Sequence, residues 1–343
     1  MFKLANNLSK EEAIKLRDEE TFERKTLSFY RYVRIKDPQD FRNQLYAEWS
    51  ALGVLGRTYI SQEGINAQIN VPEPQWNAFI DNLESHPELK SMPLKIGVEQ
   101  GFSFYKLTIK IKNQIVADGL SNDAYDIANV GTHLTGEEFN KLAEQEGTIV
   151  VDMRNQYESE IGHFEGAVLP QVDTFKEELP NVRDTLKGNE DKKILLYCTG
   201  GIRCEKASAY LKNEGFKDVN QLHGGIINYA HEMKQKGLPS KFKGKNFVFD
   251  ERRAERITED VLSQCHQCES PSDNHANCAN EMCNILFIQC DACAEEFSKC
   301  CSVSCQNIAN LPLEERLKLR KTQPVKPKMF NRKNMSTEAL QKV

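Results

Sequence analysis

The 343-residue sequence predicts a multidomain chain of mixed α/β and α+β class, and three observations carry that prediction. The first third alternates strand-like and helix-like segments in the order βαββαβ. The middle third repeats fully apolar strands, each followed by a helix. The last quarter gathers nine of the eleven cysteines between Cys265 and Cys305. Length alone allows two or three domains. An apolar content of 39% beside a charged content of 28% describes a globular chain rather than a disordered one.

Residues 1–26 read as a charged helical arm. "SFYRYVRI" (28–35), rich in aromatic and β-branched residues, reads as a strand. "DPQDFRNQLYAEWSALG" has Pro38 at a helix start, Phe41, Leu45 and Trp49 at helical spacing, and Gly53 as its close. "VLGRTYIS" and "INAQINV" read as two strands joined at "QEG". "PEPQWNAFIDNLESHP" puts Trp76, Phe79, Ile80 and Leu83 on one helix face. "LKIGVEQ" and "YKLTIKIK" supply further strands. Residues 27–130 therefore predict a ferredoxin-like, acylphosphatase-like βαββαβ domain, with helices on one face of an antiparallel sheet.

A second pattern fills 131–240. "LTGEEFNKLAEQEG" is a helix with Thr135 as N-cap and Glu138 three residues on. "TIVVDMR" and "DKKILLYC" are apolar strands. "RCEKASAYLKNEG" is a helix closed by Gly215, and "DVNQLHGGIINYAHEMKQKG" gives one more strand and helix. Strands alternating with helices imply a parallel sheet covered on both faces, with ligands at the carboxyl ends of its strands. Cys198 stands at one such end.

The stretch "YCTGGIRCEKASAYL" is where chemistry is expected. Gly200 and Gly201 permit a tight loop with its N–H groups turned inward. The helix starting near Arg203 adds positive potential, and Arg203 a full charge. These effects favour a Cys198 thiolate, the reactive form. Thr199, Gly200, Gly201, Ile202 and Arg203 together would cradle an anion. A buried thiol capping a strand is the alternative. Cys204 is either a resolving thiol or a small residue packed on the sheet.

Residues 241–311 form the cysteine-rich region. Cys265-x2-Cys268 and Cys290-x2-Cys293 are knuckles suited to zinc, with Cys278, Cys283, Cys300, Cys301 and Cys305 as further candidate ligands and His266 and His275 nearby. Nine thiols allow two four-ligand sites, structural in character, with the pairing open. Reduced thiols, disulfides or an iron–sulfur site are the other readings.

The Cys198 loop resembles the active-site loop of rhodanese domains. "VVDMRNQYESEIGHFEGAV" and "LHGGIINY" are similar to two further rhodanese segments, in the same order and spacing. The resemblance implies that 131–240 is a rhodanese-like domain, with Asp152 and Arg154 supporting the sheet end; His163, in the turn, is either a structural residue or a proton-transfer group. Six residues from Cys198 to Arg203 is the sulfurtransferase loop length, and related phosphatases use one residue more. The three-part order, with "GRTYISQEGINAQINVP" before and "CHQC…NCANEMCNILFIQCDAC" after, resembles the bacterial oxygen-dependent tRNA uridine(34) hydroxylases over roughly 25–310. That resemblance implies 5-hydroxylation of the wobble uridine of tRNA, molecular oxygen as co-substrate, and Cys198 as the catalytic residue through a persulfide. Without that resemblance, the loop favours a sulfurtransferase using thiosulfate or a persulfide.

Partners and setting follow from charge and hydropathy. The net charge is −5, but 231–256 and 312–334 each carry eight Lys/Arg, enough to meet tRNA phosphates. Residues 312–343 read as a basic tail. Tyr30, Tyr32, Phe104 and Tyr105 lie among basic residues and either stack bases or fill the sheet core. Arg57, Tyr59, Glu63 and Asn66, by the "QEG" turn, are expected to face the rhodanese pocket. No apolar run is long enough to span a bilayer and no secretory signal is read, so a cytoplasmic protein is expected. No flavin or dinucleotide motif and no facial triad of two His and a carboxylate is seen.

Overall fold

The computed structural model describes residues 6, 8–121 and 124–322. Helix α1 (Lys10–Asp18) starts at a Ser9 cap reciprocated by Glu12. The first sheet then holds β1 (Arg24–Tyr32), β2 (Leu55–Ser61), β3 (Gly64–Pro72), β4 (Lys95–Ile96) and β5 (Leu107–Ile111), in the order β4-β1-β3-β2-β5. The first four strands pair antiparallel, as a ferredoxin-like layer requires, and β5 adds parallel to β2 at the edge. Strand β1 begins at Arg24, inside the stretch read as an arm. Its guanidinium is bound by Glu20, the Gly53 carbonyl and Asn70, an anchor that strand propensity does not register.

Helices α2 (Pro38–Ala51) and α3 (Trp76–Ser85) cover one face of this sheet. Asp37 caps α2, and Pro38 supplies the fixed φ its first position favours. Trp49 is fully buried against Phe29 and Phe79, and its indole N–H donates to Asn82 at 2.9 Å. The opposite face carries Ser28, Tyr30, Arg57, Tyr59, Asn66 and Gln68, and it turns toward the rest of the chain.

The central domain runs β6 (Thr132–Leu134), α4 (Gly136–Ala143), β7 (Ile149–Asp152), α5 (Gln156–Ser159), β8 (Gly162–Phe164), α6 (Phe175–Leu186), β9 (Lys193–Tyr197), α7 (Ile202–Asn213), β10 (Asp218–Leu222) and α8 (Gly225–Lys236). Strands β6-β10-β9-β7 form a parallel sheet with an apolar core on each face. The Thr135–Glu138 capping box opens α4 as expected.

The chain then returns. Strand β11 (Phe242–Phe247) pairs with β8, and β12 (Ala254–Arg256) pairs with β11. Hairpin β13 (His275–Asn277) and β14 (Leu286–Ile288), helix α9 (Asp291–Glu296) and helix α10 (Val303–Ala309) build the cysteine-rich lobe around a core with Phe287 and Ile288. Helix α11 (Leu313–Thr322) follows, so the start of the basic segment is helical; the expected tail from 323 to 343 lies outside the described residues.

The basic run 231–256 is largely self-neutralised. Lys236 pairs with Glu137 and Glu232, Lys241 with Glu144, Lys245 and Arg256 with Asp273, and Arg252 with Asp250 and Glu255. Most of its charges hold the fold together and are not free for phosphates.

One cation ties the first two domains. Lys206 on α7, nearly fully buried, lies 3.1 Å from Glu63 and 3.2 Å from Asp118, and donates to the Val116 carbonyl. Asp118 also accepts from Gln114, Tyr125 and the Leu120 N–H. Val116, Leu120 and Tyr125 pack on the central core, so the connecting segment adheres to the second domain.

Candidate active site and cysteine clusters

Strand β9 ends in Tyr197, fully buried, and delivers Cys198 to the carboxyl edge of the sheet. Gly201 adopts φ +96°, the left-handed conformation that glycine allows without strain, and its N–H points at the Cys198 sulfur at 3.1 Å. The loop is gripped from behind by the Gly224–Gly225 turn. The N–H groups of Ile226 and Ile227 donate to the carbonyls of Cys198 and Thr199, at 3.0 and 3.2 Å. A Cβ on Gly225 would collide with the Cys198 carbonyl, which explains the paired glycines of "LHGGIINY".

Cys198 is almost fully buried. Burial raises its pKa. Hydrogen bonds from the Cys204 thiol, the Arg203 charge, and the N–H groups of Cys204 and Arg203 outweigh burial and bring it down to about 6. Cys204 moves the opposite way, raised well above the ordinary thiol value by burial and then by its bond to Cys198. At neutral pH the pair is one thiolate and one thiol.

Arg203 lines the same cavity, but its guanidinium forks onto Glu158 at 2.6 and 2.8 Å, with a longer bond to the Thr199 hydroxyl. It serves the loop by charge and by fixing Thr199. Ile202 begins α7, and its carbonyl accepts from the Tyr32 hydroxyl. Asp152 and Arg154 form a bidentate pair with no solvent exposure, and Arg154 also donates to the Gly162 carbonyl. They brace the end of β7 beneath the site. His163 holds the Ser159 carbonyl through Nδ1, a turn-stabilising contact. Glu178, on α6, is fully buried with both carboxyl oxygens unpartnered, and burial raises its pKa well above the carboxylate range.

A cavity of about 320 Å³ opens over the sulfur. Its floor is Cys198, Thr199, Gly200 and Arg203. One wall is the open face of the first sheet, with Ser28, Tyr30, Arg57, Tyr59, Asn66 and Gln68, and the other is Val248, Phe249 and Arg252 after β11. Arg57, Tyr59 and Asn66 face it as expected. Glu63 instead binds Lys206 and the Ile115 N–H. Lys95 was not singled out by sequence. It sits on β4 opposite Ser28, is 6% exposed, and holds its ammonium 4.3 Å from the Tyr30 ring centre. Burial lowers its pKa to about 8, although the charges of Cys198 and Glu205 pull it upward. Tyr30 donates to Glu205, which also meets His133 and Gln221, so the first domain is hydrogen-bonded to the helix behind the loop.

Eight of the nine clustered cysteines sort into two quartets. Cys265, Cys268, Cys290 and Cys293 form one, and Cys278, Cys283, Cys301 and Cys305 the other, with the four sulfurs of each within 4.8 Å of one another. All are free thiols, and the sulfur pairs Cys268–Cys290, Cys283–Cys301 and Cys301–Cys305 stand 3.6–3.7 Å apart. A tetrahedral ion with ~2.3 Å metal–sulfur bonds has edges of about 3.8 Å, whereas a disulfide needs ~2.0 Å. The donors therefore fit a metal ion. Cys300 belongs to neither quartet. It has no solvent exposure and packs as an apolar residue in the lobe's core, which corrects its expected place among the ligands. His266 contacts Glu160 and the Ile288 N–H, His275 is buried against Phe247, and neither stands in a quartet.

Three family models match the chain in order: the UPF0176 acylphosphatase like domain over 24–115, the rhodanese-like domain over 135–232, and the rhodanase C-terminal region over 243–306. A solved rhodanese-like domain from Anabaena sp. is 20% identical, covering 33% of this chain and 78% of that one, with a TM-score of 0.26. A tRNA uridine(34) hydroxylase from Leptospira interrogans is 59% identical over 319 residues, 93% of this chain and 87% of that protein. One from Yersinia enterocolitica is 48% identical over 331 residues, 96% and 95% of the two chains. Identity at this level along nearly the whole of both chains means that the protein belongs to the tRNA uridine(34) hydroxylase family.

Proposed function

We propose that the protein hydroxylates carbon 5 of the wobble uridine of tRNA, with molecular oxygen as co-substrate and Cys198 as the reacting sulfur. One observation carries this beyond the names of its relatives. The thiolate is enclosed by three separate pieces of chain, in a cavity whose size suits a small planar ligand. A simple sulfurtransferase needs only the loop, whereas a base-modifying enzyme needs walls. An anticodon base is unpaired, so turning it into such a pocket costs little. The Gln68 amide and the Ser28 hydroxyl offer polar partners to a uracil edge beside Tyr30 and Phe249.

The chemistry follows from the sulfur anion. Its addition to carbon 6 of uracil makes carbon 5 an enolate carbon, which bonds to one end of dioxygen as a hydroperoxide. The Cys204 thiol breaks the O–O bond by taking the outer oxygen as a sulfenic acid. Loss of the carbon-5 proton and of Cys198 restores the ring and leaves the Cys198 thiolate to displace water from that sulfenic acid. In sum, uridine, dioxygen and the thiols of Cys198 and Cys204 give 5-hydroxyuridine, water and a Cys198–Cys204 disulfide. A persulfide on Cys198 would carry the same anion one atom further into the cavity. Lys95 and Arg203 supply the positive charge that holds it. The two cysteine quartets would hold structural zinc, which cross-links the lobe behind the site. A tRNA substrate puts the protein in the cytoplasm; among the described residues no helix is long and apolar enough to cross a membrane.

The test is nucleoside mass spectrometry of tRNA from cells lacking the protein, complemented with wild type or Cys198→Ala. Wild type should restore 5-hydroxyuridine derivatives and Cys198→Ala should not. Unchanged nucleosides in the deletion would refute the reading. The loop geometry also supports sulfur transfer. That reading requires Cys198 to gain one sulfur atom from thiosulfate and to pass it on.

A further inference from the structure

The cavity over Cys198 does not open directly to solvent on all sides. It continues into a wider groove of about 700 Å³, and Arg57, Phe104, Val248, Phe249 and Asp250 line both. One bank of the groove is the β2–β5 edge of the first sheet. There Lys106 and Lys110 lie on one side of the strand, four residues and about 13 Å apart at ~3.3 Å per residue. Arg57 pairs in register with Thr108, between them. Arg57, Lys106 and Lys110 are exposed, and among the described residues none of them forms an ion pair. The other bank carries Arg253. The acids of the groove are already matched: Asp250 by a bidentate Arg252, and Glu251 by Lys10. The groove is therefore a track of unneutralised positive charge. Tyr105, half-buried, lies on the same bank next to Phe104 at the cavity mouth, with the ammonium groups of Lys10 and Lys106 5.3 and 5.7 Å from its ring centre.

We infer that this groove binds the single-stranded nucleotides flanking the reacting base, with Arg57, Lys106 and Lys110 on their phosphates and Tyr105 as a stacking surface. The inference rests on the tRNA reading and adds where the strand lies. Three features distinguish this partner from an acidic peptide. The cations are spaced along an extended edge strand, an aromatic face accompanies them, and the track ends in a closed pocket holding one reactive atom. Single-strand binders combine these elements. The self-paired cations of 231–256 lack such a track.

The experiment measures binding of a fluorescent uridine-34 anticodon stem–loop RNA to the full chain at several salt concentrations. Wild type, Lys106→Gln/Lys110→Gln, and a distant surface control, Lys187→Gln/Lys192→Gln, are compared. Loss of two phosphate contacts should make the slope of log affinity against log salt shallower by about 1.4, at ~0.7 per contact in single strands. The control should keep the wild-type slope. A slope unchanged in Lys106→Gln/Lys110→Gln, or no RNA binding by wild type, overturns the inference. As a second measurement on wild type, RNA should protect Lys106 and Lys110 from acetylation and leave Lys187 reactive; equal reactivity also overturns it. These readouts are independent of turnover. A failure of hydroxylation with the slope change intact would refute the reaction and leave the groove in place.

Discussion

At the scale of single residues, Cys198 is held between opposed influences, and the outcome is measurable. With a pKa of about 6, the thiolate fraction passes one half near pH 6 and is close to complete by roughly pH 7.5. Alkylation of the Cys198 peptide by iodoacetamide, followed by mass spectrometry, should rise through pH 6 and then level off. An ordinary thiol would still be climbing at pH 8. In Lys95→Met the midpoint should move up, since a cation that favours the anion has gone. A midpoint that stays put would show that Lys95 does not reach the sulfur. The two kinds of residue differ in how legible they are. Cys198, Gly200, Gly201 and Arg203 lie within one loop, and their spacing declares them. Glu158 meets Arg203 across 45 residues of chain and Tyr30 meets Glu205 across 175. Lys95 is one of many lysines until the fold sets it against the loop. Glu178 gives no signal at all, because a glutamate in the first turn of an amphipathic helix normally faces water.

At the scale of elements, long periodic segments are readable and short ones are not. Strands β7 and β9 and helices α2 and α7 follow from apolar runs and caps. Strand β8 is three residues, Gly162 to Phe164, too short for any alternation to show, and it exists because β11 returns from far along the chain to pair with it. The cysteine quartets interleave, and that pairing is a property of the folded lobe. The C-x2-C spacing marks the first quartet. The second joins Cys278 and Cys283 to Cys301 and Cys305, on the far side of the hairpin. Elemental analysis of purified protein should give two zinc ions per chain, one for each quartet. Cys268→Ser should lower that to about one, and Cys300→Ala should leave it at two. A stoichiometry that falls with Cys300→Ala would return that residue to the ligands. Chelation should melt the lobe well before the first domain, because each quartet replaces aliphatic core that the lobe lacks.

At the scale of the whole molecule, the site exists only where the pieces meet, and Lys206 fixes that meeting. Its ammonium is the partner of two acids, one of them, Asp118, almost without exposure. Lys206→Met leaves both uncompensated and should cost about 3 kcal/mol, the scale for breaking a buried pair. Thermal unfolding should record the loss. Limited proteolysis should show new cleavage between 112 and 130, where the connecting segment is held down. An unchanged melting curve would mean that the domains are joined without the Lys206 ion pairs. Single-domain reasoning from sequence had no access to this contact, since its members come from the first domain, the connector and α7.

The return of β11 has a consequence for what the sulfur can meet. Val248 and Phe249, just beyond it, close the last wall of the cavity. With that wall in place, the sulfur is approached through the cavity and the groove that continues from it. The wall therefore acts as a sieve: what meets the thiolate is chosen by its width as well as by its reactivity.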